Sequence, residues 1–145
     1  MVELLLQNPD LVDTSDDDGF TPLHVAAHRG YSDVLNHLIR AQASVDSQTN
    51  HGHTPLITAS EMGHEACVDI LLASKVYTVG FRLYPMTFLQ ANVNATASDG
   101  CSALFAAAEY NHVECCQHLL QHQADSNLLV CTRRFVLVSP PLMLC

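Results

Sequence analysis

Apolar positions along this chain form short helical stripes that return at a fixed step, the one that separates Leu35 from Val68. Val34, Leu35, Leu38 and Ile39 have the spacing of one face of a helix, and Cys67, Val68, Leu71 and Leu72 repeat that stripe. Cys115, Cys116, Leu119 and Leu120 form a third. A shorter stripe of smaller residues, Leu23, Ala26 and Ala27 in the first copy, precedes the longer one. Thr21 before Pro22 predicts a helix start, because a hydroxyl residue caps well and proline is tolerated at the first helical position. Gly30 and Gly63 predict helix ends that turn through positive φ, and Asn111, the next most tolerant residue type, stands at the third such place. A loop rich in Ser, Asp, Asn and Thr, from Ala43 to Gly52, then projects toward the next helix. No single helix pair of this kind can bury its apolar side alone, so neighbours must stack.

The register of the copies is explicit. Gly19-Phe20-Thr21-Pro22-Leu23 recurs as Gly52-His53-Thr54-Pro55-Leu56, and Val12-Asp13 recurs as Val45-Asp46. A third copy, Gly100-Cys101-Ser102-Ala103-Leu104, arrives later than the same step from Gly52 allows, and the excess equals the length of Val76 to Gln90. Without that stretch, Ala91-Asn92-Val93-Asn94 aligns with Ala43-Ser44-Val45-Asp46. Val2, Leu5 and Leu6 lie one step before Leu35, Leu38 and Ile39, which places them on the second helix of an earlier unit. The expected organisation is a half repeat over 1–17, repeats over 18–50 and 51–75, an insertion over 76–90, a loop over 91–99, a repeat over 100–127 and an irregular apolar tail over 128–145. Neither end shows a polar capping repeat.

The segment Gly19 to Gly30 carries Gly-x-Thr-Pro-Leu-His-x-Ala-Ala-x-x-Gly, and in this it resembles the ankyrin repeat. The second copy keeps Thr54-Pro55-Leu56 but has Ile57 in place of His, and the third has Ala103 for Pro and Phe105 for His. The resemblance spans residues 1–75 and 91–127. It implies an all-α fold, a helix-turn-helix solenoid with projecting loops, of about three repeats plus a half repeat and part of a longer array. It also implies a non-catalytic module that binds another protein on a concave surface of loop tips and first helices. Matching positions place Asp17, Asp18, Phe20, His28 and Arg29 on that surface in the first repeat. The second contributes Asn50, His51, His53, Glu61 and Met62, and the third Ser98, Asp99, Cys101, Glu109 and Tyr110. This mixture suits a moderately polar protein interface, with Phe20, Met62 and Tyr110 as its expected anchors. The alternative is a defective or regulatory splice-type variant, in which the insertion and tail impair stacking and leave no independent binding.

Charge narrows the class of partner. The net charge is −9, with only six Lys and Arg residues, and of these only Arg133 and Arg134 adjoin. That argues against a grip on nucleic acid or on anionic membrane. Asp16-Asp17-Asp18 reads both as a solvated loop beside a helix N-terminus and as an acidic fingertip for a basic partner peptide. The N-terminal residues are too short and too acidic for a signal peptide, and no apolar run reaches a membrane span. The expectation is a monomeric cytoplasmic or nuclear chain with reduced thiols, needing no cofactor, and at risk of aggregation from its insertion and tail.

Other chemistry is weakly signalled. Cys115, His118 and His122, with His112 nearby, share nominal helical spacing for a metal, yet Cys115 and Cys116 fill the core slots of Val34 and Leu35. His51-Gly52-His53 reads as an exposed loop tip. Pairing Cys101 with His53 as nucleophile and base finds no orienting acid and no oxyanion loop, and no phosphate-cradling glycine loop occurs. The insertion is rich in Phe and Tyr and holds no acid, so it reads as a tolerated insertion or as a loop presenting Phe81, Tyr84 and Phe88. At the coding level it could be retained sequence in frame, with the tail beginning its own departure at Val130.

Overall fold

The computed structural model describes residues 8–73 and 91–128, and the insertion and the tail beyond Leu128 lie outside those residues, as does the N-terminal apolar stripe. Three helix pairs follow one another: α1 (Pro22–Arg29) with α2 (Ser32–Arg40), α3 (Pro55–Met62) with α4 (Glu65–Ala73), and α5 (Ala103–Glu109) with α6 (Val113–Gln121). Short 3-10 turns at Pro9–Leu11 and Ser126–Leu128 flank them. Among the described residues there is no β-strand, only an isolated antiparallel bridge between Thr96 and Ser102. The all-α expectation therefore holds.

Local chemistry sets each boundary. Thr21, Thr54 and Ser102 adopt extended backbone at the helix starts, and the hydroxyls of Thr54 and Ser102 accept from the N–H groups of Ile57 and Phe105. Gly30 and Gly63 end α1 and α3 at φ of 73° and 74°, and Asn111 takes a φ of 66° after α5. The next N–H then closes the turn onto the helix, from Tyr31, His64 and His112 to the carbonyls of Ala26, Ala59 and Ala107 at 2.9, 3.0 and 2.8 Å.

The first helices form one layer and the second helices another. α3 packs between α1 and α5, and α4 between α2 and α6. The core between the layers is continuous, built on Leu23, Leu35, Leu38, Leu56, Leu71, Leu72, Leu104 and Leu119. Register survives the insertion. The second helices of the first and third repeats close with Ala43 N–H to Leu38 O and Ala124 N–H to Leu119 O, both 3.0 Å. Ala91 N–H makes the same bond to Leu71 O at 3.1 Å, although the whole insertion lies between the two in sequence.

Three ladders of hydrogen bonds join one repeat to the next. In the outer one, Asp13 Oδ1 accepts from Ser44 N–H, Asp46 Oδ1 from Asn92 N–H, and Asn94 Oδ1 from Asp125 N–H, each at 2.8 Å. In the second, His64 Nε2 meets His28 O and His112 Nε2 meets Glu61 O, both at 3.1 Å. The rings of His64 and His112 lie where a side chain on Gly30 or Gly63 would begin; a Cβ on Gly30 would stand 2.7 Å from His64 Nδ1. Glycine is thus required twice over, by backbone sign and by the next repeat's ring. The third ladder runs along the loop tips, with Asn50 N–H to Asp18 O at 3.0 Å and Ser98 N–H to His51 O at 2.9 Å.

A further contact joins, among the described residues, the first two repeats alone. His24 is fully buried. Thr21 N–H can only donate, so His24 Nδ1 accepts from it at 3.2 Å, and Nε2 carries the proton donated to His53 O at 2.9 Å. Burial pushes the His24 pKa below its ordinary 6.5, against a smaller opposing pull from the carbonyl of His53. A lowered folded-state pKa means the unfolded chain binds the proton more tightly. The contribution of His24 is therefore complete above pH 6.5 and is lost as pH falls from there through the folded value. The urea midpoint is expected to fall as pH is lowered from about 7.5 to about 5.5, and His24→Ile, which places there the residue type found at Ile57, is expected to flatten that fall. An unchanged pH slope in the variant would show that His24 is not the responsible group.

Candidate functional site

Each loop tip is a tight turn closed on itself. Asp16 N–H bonds Phe20 O, Thr49 N–H bonds His53 O, and Ala97 N–H bonds Cys101 O, at 3.1, 3.0 and 2.9 Å. Gly19, Gly52 and Gly100 make the reversal with φ between 77° and 84°. The Asp16 carboxylate accepts from Asp18 and Phe20 N–H, and the Asp99 carboxylate from Cys101 N–H, so these two acids hold their own turns. The ladder along the tips then sets Asp17 and Asp18, Asn50 and His51, and Ser98 and Asp99 in file.

The ends of the first helices continue the same edge. His28 and Arg29, Glu61 and Met62, and Glu109 and Tyr110 occupy equivalent places just before the turn residues Gly30, Gly63 and Asn111. Asp17, Asp18, His28, Arg29, Asn50, His51, Met62, Ser98, Glu109 and Tyr110 are exposed, and Phe20, His53, Glu61 and Asp99 are partly covered. Carboxylates dominate: Asp17, Asp18, Glu61, Asp99 and Glu109 share this edge with one guanidinium, Arg29.

Between the second and third repeats the edge dips into a shallow depression, open to solvent. His53, Glu61, Asp99, Glu109 and Tyr110 rim it, and Ile57, Phe105 and Ala106 form its floor with Cys101. Tyr110 is 51% exposed and stacks loosely beside the His112 ring, centroids 6.4 Å apart. Matching to the repeat pattern brings the rim residues together but misses the floor. Ile57 and Phe105 replace the histidine that is His24 in the first repeat, and that substitution is the sequence signal for an apolar floor.

These observations converge with the comparison to known families. A model of ankyrin repeats spanning 3 copies matches residues 1–80, and a single ankyrin repeat matches residues 99–131. The chain belongs to the ankyrin repeat family. The residues between the two matches include most of the insertion. Ankyrin repeats generally mediate protein–protein interaction and generally act without catalysis.

Some of these residues make internal contacts or bonds. Cys101 is only 7% exposed and is disulfide-bonded, so this position of the ankyrin surface offers a partner no thiol, and its pairing with His53 as a nucleophile fails for want of one. Cys116 is also disulfide-bonded, whereas Cys67 and Cys115 are free and buried. Among the described cysteines two are therefore thiols and two are not, against the expectation of reduced thiols throughout. Asn50 is committed internally, its amide donating to Asp17 O at 2.8 Å, and Phe20 lies edge-on to His24 at 5.8 Å and is half-buried.

Three of the four residues considered for a metal are otherwise engaged or poorly suited to one. His112 Nε2 meets Glu61 O, and His118 Nδ1 pairs with Asp69 of the neighbouring second helix. The Cys115 thiol is pushed up to about 11 by burial first, then by the charges of Glu65, Glu114 and Asp69, which disfavours the thiolate a metal needs. Among the described residues no helix is long and apolar enough to cross a membrane.

Proposed function

We propose that this ankyrin chain is a non-catalytic binding module that holds a partner protein along the edge of loop tips and first helices. Its partner presents a basic segment. The shallow depression between the second and third repeats carries this reading: Glu61, Asp99 and Glu109 stand around an apolar floor of partly covered Phe105 over buried Ile57, beside exposed Tyr110. A lysine or arginine side chain has an alkyl stem for such a floor and a charge for such a rim. Met62 and Tyr110 remain the proposed anchors, being 38% and 51% exposed, while Phe20 contributes less because it is partly covered.

The compromised-stacking alternative is opposed by the bonds made beyond the insertion, Ala91 to Leu71, Asn92 to Asp46 and Ser98 to His51. A peptide panel that varies charge at constant length tests the proposal. Lys- and Arg-bearing peptides are expected to bind best, and Glu61→Lys with Glu109→Lys is expected to weaken them about 10-fold, with the loss shrinking at high salt. Equal binding of acidic and basic peptides, or salt-independent binding unaffected by both reversals, would refute it.

A further inference from the structure

We infer that the chain's own basic pair, Arg133-Arg134, docks in the depression between the second and third repeats and competes there with a partner's basic segment. The inference rests on the reading of that depression as a seat for basic side chains, and it adds an occupant from within the chain. Charge singles the occupant out. Of the six Lys and Arg residues only these two adjoin, and Phe135 follows them directly. Two guanidinium groups beside an aromatic ring match a rim of Glu61, Asp99 and Glu109 around a floor that includes Phe105. Arg29 and Arg40, by contrast, stand singly at the ends of α1 and α2 in the first repeat.

The path of the chain brings the pair within reach. The turn Ser126–Leu128 packs on α5, and Leu128 O accepts from Ser102 Oγ at 3.1 Å. Ser102 follows Cys101, which lines the depression, so the tail departs one residue away from that lining. The stretch of extended chain from Leu128 to Arg133 spans up to about 17 Å. Helix α5, which separates Ser102 from Tyr110, is only about 10 Å long. Asp99 and Glu109 are therefore both accessible to the pair, and neither acid is without a partner. The disulfide of Cys101 is compatible with this path. Cys67 and Cys115 are free, so Cys101 is bonded to Cys116 or to one of the tail cysteines, Cys131 and Cys145. A tether this short holds the pair at an effective concentration on the order of millimolar, so even a weak contact keeps a dilute peptide out.

The test measures binding of a fluorescent peptide of alternating Arg and Ser to the full chain, with its disulfides intact, by anisotropy. Arg133→Gln combined with Arg134→Gln is expected to tighten binding about 3- to 10-fold, because the internal competitor is lost. Arg40→Gln, which removes a charge at the end of α2, is expected to change it by less than about 1.5-fold. In the background of Glu61→Lys with Glu109→Lys, the tail substitutions are expected to gain nothing, since both act through one seat. Equal affinity of the full chain and the tail variant, with the rim reversals still weakening both, would overturn the inference and leave the basic-partner reading standing. A peptide that binds neither chain, or binds regardless of the rim, would overturn both. A gain that persists in the rim-reversed background would be a general charge effect and would overturn the inference alone. So would a gain that grows with protein concentration, since the depression would then hold the tail of a second copy.

Discussion

Gly63→Ala is expected to destabilise the chain by about 2–3 kcal/mol, roughly 1–2 for a Cβ on left-handed backbone and about 1 for the lost histidine bond. Gly63 has a φ of 74°, and an added Cβ would run into the ring of His112, which bonds Glu61 O. The two causes can be separated. Gly63→Asn relieves most of the backbone penalty, because asparagine tolerates this conformation, and leaves the collision. Combining either substitution with His112→Ala removes the collision, so the double variant should cost less than the sum of the singles. Asn111→Gly, at the exposed equivalent turn, should change stability little or raise it slightly. Urea denaturation measures every variant. Strict additivity of Gly63→Ala and His112→Ala would contradict the proposed contact.

The second large effect is at the centre of the array. Leu71→Ala is expected to cost about 2–5 kcal/mol, the range for a large-to-small change at a fully buried site. Leu71 has no exposed surface and lies on α4, the second helix that touches neighbours on both sides. Its backbone carbonyl also receives Ala91 N–H, the bond that restores register after the insertion. Stability in a repeat array is a sum over units and nearest-neighbour interfaces, so a defect here weakens two interfaces together. Helical signal should be lost from all three repeats at a lower temperature. Val113→Ala, at a position 41% exposed on α6, should shift stability by less than about 0.5 kcal/mol. Similar losses from both substitutions would mean that the core is not continuous through α4.

Most of the architecture was legible because it repeats. The regular return of Gly-x-Thr-Pro and of the Leu-rich stripe marks helix pairs, and the longer step from Gly52 to Gly100 marks the insertion. The bonds of Ala43, Ala91 and Ala124 show why leaving out Val76 to Gln90 restores alignment: the same helix-closing contact is made with and without the insertion. Side-chain commitments between repeats were not legible. His24 reaches His53, and Asn50 reaches Asp17, from one repeat to another, and a periodic pattern records neither direction nor partner. Cys116 illustrates another limit. It fills the slot of Leu35 and Val68 by apolar spacing, and that spacing is the same for a free thiol and for a disulfide sulfur. On the candidate surface the acidic rim followed from residue matching, but the floor of Ile57 and Phe105 required the helices to be side by side.

The account rests on the third repeat docking on the second in spite of the insertion between them. A thermal melt by circular dichroism, comparing the full chain with one lacking Val76 to Gln90, tests this most directly. Loop closure over the added length costs only on the order of 1 kcal/mol, so both chains should show the same helical signal and one cooperative transition, with the shorter chain melting a few degrees higher. A cooperative transition in the shorter chain beside a broad, two-step or aggregating melt in the full chain would contradict the account.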